Sequence, residues 1–476
     1  MQTRRAWGQE ELFVAGPLAE LVPANHVLRR IDAVLDLGWL HGEVRDAYCQ
    51  DNGRPGIDPE SALRLMLAGF VEGVVHDRAL LRRAQTDLAL RWFAGYRLDE
   101  ALPDHSSLTR IRQRWGAPRF KRIFQRVVAD CVRAGLVKGD VVHVDATLIR
   151  ADVSWESLTT QHAERVIEAH AAPVDEAART QYPPSPSAPG GTAPKLKKRS
   201  TTDPEASMAT SNRGHHLEPS YKQHTAVDDH AGIIVDVAVE TGEANEGKQL
   251  LAQIARIEEN TGLAVRTVTA DGGYAHAANY AALEDTSRTA IIPPQRTGTR
   301  APGKQRIPAR RFKYDPRRDR VTCPAGNALE HKGRATAQNG NLYRARSCDC
   351  RACPMRERCI PPSAHVRSIL LVDDYPALLR ARRKHQRGWD EATRELYRRH
   401  RWHIEGVHGR AKSYHGLRRA VRRGLSNVHI QSCLAATAMN LKKLAAHRAL
   451  ARLLATLYRH WNRPRTLQNT QLACAA

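Results

Sequence analysis

No stretch of the 476-residue sequence approaches the roughly 18 consecutive apolar residues needed to span a bilayer. The opening MQTRRAWGQEELF has no apolar core of the kind that makes a signal peptide. No continuous basic amphipathic helix argues for a membrane surface either. These absences point to the cytoplasm, where thiols stay reduced, so the nine cysteines are not expected to form a disulfide framework. No internal repeat is present. Acidic residues are in deficit, with 50 Asp and Glu against 74 Lys and Arg, a formal charge of +24. That balance points to a polyanionic partner, nucleic acid before others. An apolar content of 42% excludes wholesale disorder, and the length suggests two or three domains.

The chain to about residue 135 reads as helical. In IDPESALRLMLAGF, Asp58 is a helix cap and Pro59 the first helical residue. Ala62, Leu65, Met66, Gly69 and Phe70 then share one face. In PDHSSLTRIRQRWG, Asp104 or Ser106 caps a helix carrying Arg110, Arg112 and Arg114 beside Leu108, Ile111 and Trp115. This suits a helix-turn-helix that places cations on DNA. It suits equally a small helical bundle with solvated arginines, and spacing does not separate the two.

From about residue 140, strands and helices alternate. VVHVDATLI is a strand, and YKQHTAVDD and GIIVDVAVE form a hairpin through Asp229-His230-Ala231-Gly232. Gln249 to Asn260 reads as a helix, VRTVTAD as a strand, DGGYAHAANYAALED as a turn into a helix, and TAIIPP as a short strand. The sum is a mixed α/β sheet flanked by helices. Residues 171–205, rich in Pro, Ser, Ala and Lys, read as a flexible insertion, and 296–365 as an Arg-rich insertion with five of the nine cysteines. A helix around Arg394 to Lys412 and another from Val428 to about Leu457 follow.

Three carboxylates stand out. Asp145 interrupts the β-branched run of the first strand, where an isolated charge is costly to bury. Asp271 ends the apolar run of VRTVTAD, before two glycines that permit close backbone approach. Glu405 shares a helix face with Arg401 and Lys412, at offsets of four and seven residues. Together such groups could hold two Mg²⁺ ions for phosphodiester chemistry. Separately, each has an ordinary reading as a strand end, a cap or an ion-pair partner.

The blocks HVDATLIRADVS, TADGGY and RWHIEGVHGRAKSYHGLRRAVRRG resemble those of bacterial insertion-sequence transposases of the DDE class. The resemblance extends to PGIDPESALRLMLAGF, PDHSSLTRIRQRW and SNVHIQSCLAATAMNLKKL. It implies a ribonuclease H-like core in which Asp145, Asp271 and Glu405 bind Mg²⁺ or Mn²⁺. It also implies that Arg401 and Lys412 hold transposon-end phosphates, and that the chain acts as a multimer on paired ends. The family's third block is usually Tyr-x2-Arg-x3-Glu-x6-Lys. Here Arg398 holds the Tyr position and Tyr397 lies one residue early, while Ala146 stands where many relatives have Gly.

Cys323, Cys350, Cys353 and Cys359 supply four thiolates suited to tetrahedral structural zinc, with Cys348 a spare and His331 or His365 alternative ligands. Related transposases often carry a similar Cys-rich insertion. His143 alternates with Asp145, and His403, His408 and His415 surround Glu405; packing or surface roles are expected for each.

The expected organisation is a helical DNA-binding domain over 1–135 and a ribonuclease H-like domain over 136–295 and 366–457. The Cys-rich module occupies 296–365 and a tail 458–476. The expected activity is Mg²⁺-dependent cleavage of double-stranded DNA at terminal inverted repeats, then strand transfer of the 3′-hydroxyl ends, in the cytoplasm on the nucleoid. The alternatives are a non-catalytic DNA-binding relative and a nuclease on the same core.

Overall fold

Asp58 and Asp104 start the helices that organise the first part of the chain. The computed structural model describes residues 16–49, 56–159, 199–210, 217–295, 306–336, 339–362 and 364–461. Its internal contacts define two units, one formed by 1–134 with 410–476 and the other by 135–409.

The first unit opens with α1 (Leu18–Leu21), α2 (Val27–Asp32) and α3 (Leu40–Glu43). It continues with α4 (Pro59–Glu72), α5 (Asp77–Ala84), α6 (Leu88–Ala94) and α7 (His105–Arg133). Asp58 accepts the Ser61 N–H at 2.8 Å, a cap worth about 1 kcal/mol. Gly73 ends α4 at φ 74°, a left-handed conformation that favours glycine. The apolar face of α4 is buried as its spacing predicts. Asp104 caps α7, which breaks at Gly116 (φ 69°, ψ 166°), two residues before Pro118.

The second unit begins with β1 (Val141–Arg150), followed by the paired short strands β2 (Leu158–Thr159) and β3 (Arg199–Ser200). Then come β4 (Ser207–Ala209), β5 (Glu218–Asp228), β6 (Ile234–Thr241), α8 (Leu250–Thr261), β7 (Thr267–Ala270), α9 (Ala277–Asp285) and β8 (Thr289–Ile291). β5 runs antiparallel to β1, β4 and β6, whereas β1, β7 and β8 are mutually parallel. The long strands lie in the order β6-β5-β1-β7-β8, an antiparallel half joined through β1 to a parallel half. This is the ribonuclease H-like arrangement. It buries β1 at the sheet centre and explains why Val142, Val144 and Ile149 are inaccessible to solvent.

The Cys-rich segment forms its own antiparallel meander, β9 (Lys313–Asp315), β10 (Arg320–Thr322), β11 (Ala328–Ala335), β12 (Gly340–Arg344) and β13 (Ser368–Val372). Between β12 and β13 lie α10 (Ser347–Arg351) and α11 (Arg356–Cys359). The chain then forms α12 (Tyr375–Arg387), α13 (Glu391–Tyr414) and α14 (Leu425–Trp461).

Three boundaries differ from the sequence reading. The segment 366–457 does not fold wholly with the sheet: from Arg410 it joins the helical unit, where α14 packs on α2, α4 and α7. Its apolar face, including Val428, Leu434, Leu441 and Leu444, is buried there, so this unit is a bundle. The insertion expected over 171–205 lies outside the described residues up to 198, but its end is held in place. Arg199 and Ser200 pair with β2, and buried Asp203 accepts the Tyr221 hydroxyl. The tail expected from 458 begins inside α14, which reaches Trp461, and 462–476 lie outside the described residues.

Candidate active site

The register of two parallel strands places the first two acids. Val144 of β1 pairs with Ala270 of β7, so Asp145 and Asp271 are the next residues at the same end of adjacent strands. Ligands of open α/β sheets bind at such carboxyl ends. Asp271 accepts the Gly273 N–H at 2.8 Å, which turns its carboxylate back over the turn. A Cβ at Gly273 would lie 2.8 Å from Glu246 Oε2 and 2.9 Å from Asp271 Oδ1. Glycine there is what lets two carboxylates close on one backbone segment.

Glu246 was not singled out from the sequence. It opens a one-turn 3₁₀ helix, Glu246–Gln249, between β6 and α8, and its charge acts on both Asp145 and Asp271. Glu405, exposed on α13, lies near enough for its charge to act on Asp145.

The electrostatics of this cluster are one-sided. Asp145 keeps 27% of its side chain exposed, yet protein surrounds the rest. Burial pushes its carboxyl up to about 7, the Ala146 N–H pulls it down, and Asp271, Glu246 and Glu405 push it further up. Asp271 is also raised, by the protein around its carboxyl and by Glu246, against the pull of the Gly273 N–H. Neighbouring cations serve other members. Lys222 Nζ sits 3.0 Å from Glu246 Oε1, and Arg401 Nε sits 3.4 Å from Glu405 Oε1. His408 Nδ1 comes within 3.9 Å of Asp145 Oδ2.

Two tyrosines border the cluster. Tyr274 is fully buried, and its hydroxyl has no hydrogen-bond partner, although an unpaired buried hydroxyl is destabilising. Burial first, then the charges of Asp145, Glu246 and Asp271, hold its phenol well above the usual range. Tyr397 is raised by burial and by Asp271 and Asp145, against the pull of Arg401, while its ring stacks on His400 with centroids 5.6 Å apart. No three of Asp145, Glu246, Asp271 and Glu405 bring ligand atoms within 4.8 Å of one another, so a cation would have to draw them together. Hard oxygen donors beside an orphaned hydroxyl are the donor type a divalent cation such as Mg²⁺ takes.

Behind Asp145, a second network ties α13 to the sheet. Buried His143 meets Thr269 Oγ1 at 2.6 Å and Asp229 Oδ1 at 2.9 Å, and Thr269 Oγ1 meets His400 Nδ1 at 3.0 Å. The His143 ring stacks on His403, with centroids 5.2 Å apart. His143, Asp229 and His403 offer ligand atoms within 4.8 Å of one another. Arg399, 3.0 Å from Asp229 Oδ2, already balances that carboxylate, so an ion-pair network accounts for the group without a metal.

Family models match two parts of the chain. A transposase domain (DUF772) covers residues 17–114, within the helical unit. A transposase DDE domain covers residues 322–445, which include Arg401, Glu405 and Lys412. The chain is a DDE-class transposase. No curated protein matches it in sequence. Among solved structures, a piggyBac transposase synaptic complex with hairpin DNA is similar over 93% of this chain and 82% of its own, with 10% identity and a TM-score of 0.32. The Mos1 transposase paired-end complex with the left transposon end is similar over 53% of this chain and 65% of its own, with 13% identity and a TM-score of 0.16.

The remaining candidate residues of the transposase are distributed unevenly. Arg401 and Lys412 both lie on α13, with Arg401 exposed beside Glu405. Arg110 and Arg114 are exposed, and the Arg114 guanidinium lies 5.7 Å from the centre of the Tyr48 ring. Arg112 is a correction to the expected DNA-contacting set. It is 3% exposed and paired with Asp77, which also holds Arg422. A guanidinium committed to a buried carboxylate does not face DNA.

The four cysteines chosen from spacing, Cys323, Cys350, Cys353 and Cys359, line one small cavity with Phe312 and Ile360. Burial raises the Cys359 thiol, and the other three sulfurs raise it further. No three of these thiols come within 4.8 Å of one another. Cys348 is exposed beside Asp349, outside the set. The His331 ring packs on Tyr343 with centroids 5.2 Å apart. Among the described residues, no helix is long and apolar enough to cross a membrane.

Proposed function

We propose that this transposase cuts DNA at the terminal inverted repeats of its element and joins the released 3′-hydroxyl ends to target DNA. The observation that carries the reading is the juxtaposition of Asp145 and Asp271 at one sheet end, under the influence of Glu405 and Glu246. Asp145, Asp271 and Glu405 are the residues proposed to hold divalent metal, Mg²⁺ or Mn²⁺, with Glu246 beside them. Metal bound there would supply Lewis-acid activation of the attacking oxygen and stabilise the leaving one. Register between β1 and β7 supports this reading, since it sets Asp145 and Asp271 at one sheet end, and α13 carries Glu405.

Arg401 and Lys412, four residues before and seven residues after Glu405, are the proposed phosphate contacts on α13; Arg110 and Arg114 are proposed contacts from α7. The cavity lined by Cys323, Cys350, Cys353 and Cys359 is proposed to hold a structural zinc, which would draw the thiolates together. The proposed working form is a homo-oligomer on paired ends in the bacterial cytoplasm.

The test is strand transfer by the full chain on DNA bearing the element's ends, with Mg²⁺ or Mn²⁺. Asp145→Ala and Glu405→Gln are expected to abolish both cleavage and joining. Full activity in either variant overturns the assignment. Salt-sensitive DNA binding without metal-dependent cleavage by the unaltered chain would favour a non-catalytic relative, and cleavage without joining a nuclease.

A further inference from the structure

A second feature of the sheet-bearing unit is not used by the acidic cluster. Between α12 and the start of the Cys-rich meander runs an open cleft of about 900 Å³. Its cationic lining comes from two directions: Arg310, Arg311 and Lys313 from the meander side, and Arg382 and Arg383 from α12. Among the described residues no Asp or Glu lines it. Arg382 lies over the Tyr375 ring, 5.9 Å from its centre, which fixes the base of that wall.

Clustered cations normally recruit carboxylates, as Arg380 does with Glu284 on the adjoining face of α12. Arg310, Arg311, Lys313 and Arg383 are exposed, and among the described residues none has an ion-pair partner. Mutual repulsion of four such charges around a concavity is unfavourable unless an anion shares it. Arg383 also lines a second cleft on the other side of α12, with Lys384 and Arg387, so the positive surface continues around the helix. From Arg380 to Arg387 the helix advances about 10 Å, the axial rise of about three base pairs of duplex. Gln295, Gln386 and Tyr314 add neutral hydrogen-bonding groups between the charges.

We propose that the cleft between α12 and Arg310–Lys313 is a binding track for the phosphate backbone of duplex DNA, separate from the carboxylate cluster. It rests on the reading of the chain as a DNA transposase and adds where that DNA lies. The track reads charge and spacing and makes no base-specific demand, so it grips duplex of any sequence.

The experiment uses the full chain in EDTA, so that metal-dependent chemistry is silent, with a fluorescent duplex of about 30 base pairs and arbitrary sequence. Anisotropy is measured across a NaCl series for the unaltered chain and for the triple variant Arg310→Gln, Arg311→Gln, Arg383→Gln. Each lost phosphate contact lowers the log–log salt slope by about 0.9 and the affinity by about tenfold at 0.1 M salt. The triple variant is expected to lose at least 100-fold in affinity and about 3 in slope, with unchanged thermal unfolding. An unchanged affinity and slope overturn the track while leaving the proposed chemistry standing. A loss confined to a single-stranded probe of equal length overturns the duplex assignment. Failure of the unaltered chain to bind duplex at all overturns both this inference and the proposed function.

Discussion

Replacing Asp145 by Asn should make the metal-free transposase more stable, in a pH-dependent way. Burial and three neighbouring carboxylates raise the Asp145 carboxyl from 3.8 to about 7. A carboxyl raised in the folded state favours the protonated native form. Its contribution is therefore neutral below the unfolded value, turns unfavourable as pH rises from 3.8 to 7, and stays constant above that. The full penalty is on the order of 4 kcal/mol, reduced where the partly exposed side chain relaxes toward water, to about 2–4 kcal/mol. Asn removes the charge and keeps the shape. Thermal unfolding in EDTA at pH 8 should rise by about 5–10 °C in Asp145→Asn, given about 2–4 °C per kcal/mol for a unit of this size. At pH 4 the two proteins should coincide. Adding Mg²⁺ should raise the transition of the unaltered chain and leave that of the variant in place, because a ligand stabilises only the state that binds it. Equal transitions at pH 8, or an offset that persists to pH 4, would refute the electrostatic account of this strand.

Gly273→Ala should lower Mg²⁺-dependent activity at least tenfold in a strand-transfer assay while thermal unfolding moves little, because the added methyl meets Glu246 and Asp271 at the site rather than in a core. Asp77→Ala should destabilise the helical unit by about 3–5 kcal/mol in denaturant unfolding, since it strands buried Arg112 without its carboxylate. Burial lowers His143 and His415 to about 4 and His400 to about 3, so stability should fall as pH drops from 6.5 toward those values. His143→Gln should flatten part of that loss in acid unfolding curves. Elemental analysis of chain purified without chelator should find one zinc per chain, and Cys353→Ser should remove it.

Local chemistry made much of this architecture legible. Caps at Asp58 and Asp104, the hairpin at Asp229 to Gly232, and the strand bearing Asp145 follow from side chains and near neighbours, and the structure has all of them. Asp271 was visible because a β-branched run stops at it before two glycines. Glu246 was not, because it lies in a polar turn where an acid is unremarkable, and only the fold brings it to the turn after β7. The burial of Arg112 was hidden for a similar reason. Helical spacing from Leu108 and Trp115 does put Arg112 on the apolar face, but its partner Asp77 lies 35 positions earlier and no local pattern joins the two. The meander of β9 to β13 escaped notice because its strands are mostly short, with little apolar alternation for a pattern to register.

The return of α14 to the first helices has a practical consequence for dissecting the protein. The helical unit is discontinuous, with 135–409 set into it as an insert. A fragment ending near residue 134 would carry α4 and α7 with the surfaces α14 normally covers left open to water, and aggregation is its expected fate. An excised version should instead join residue 134 to residue 410 through a short Gly-Ser linker. In the intact chain the bundle can close only after its last long helix has been synthesised, so its completion is a late, long-range event.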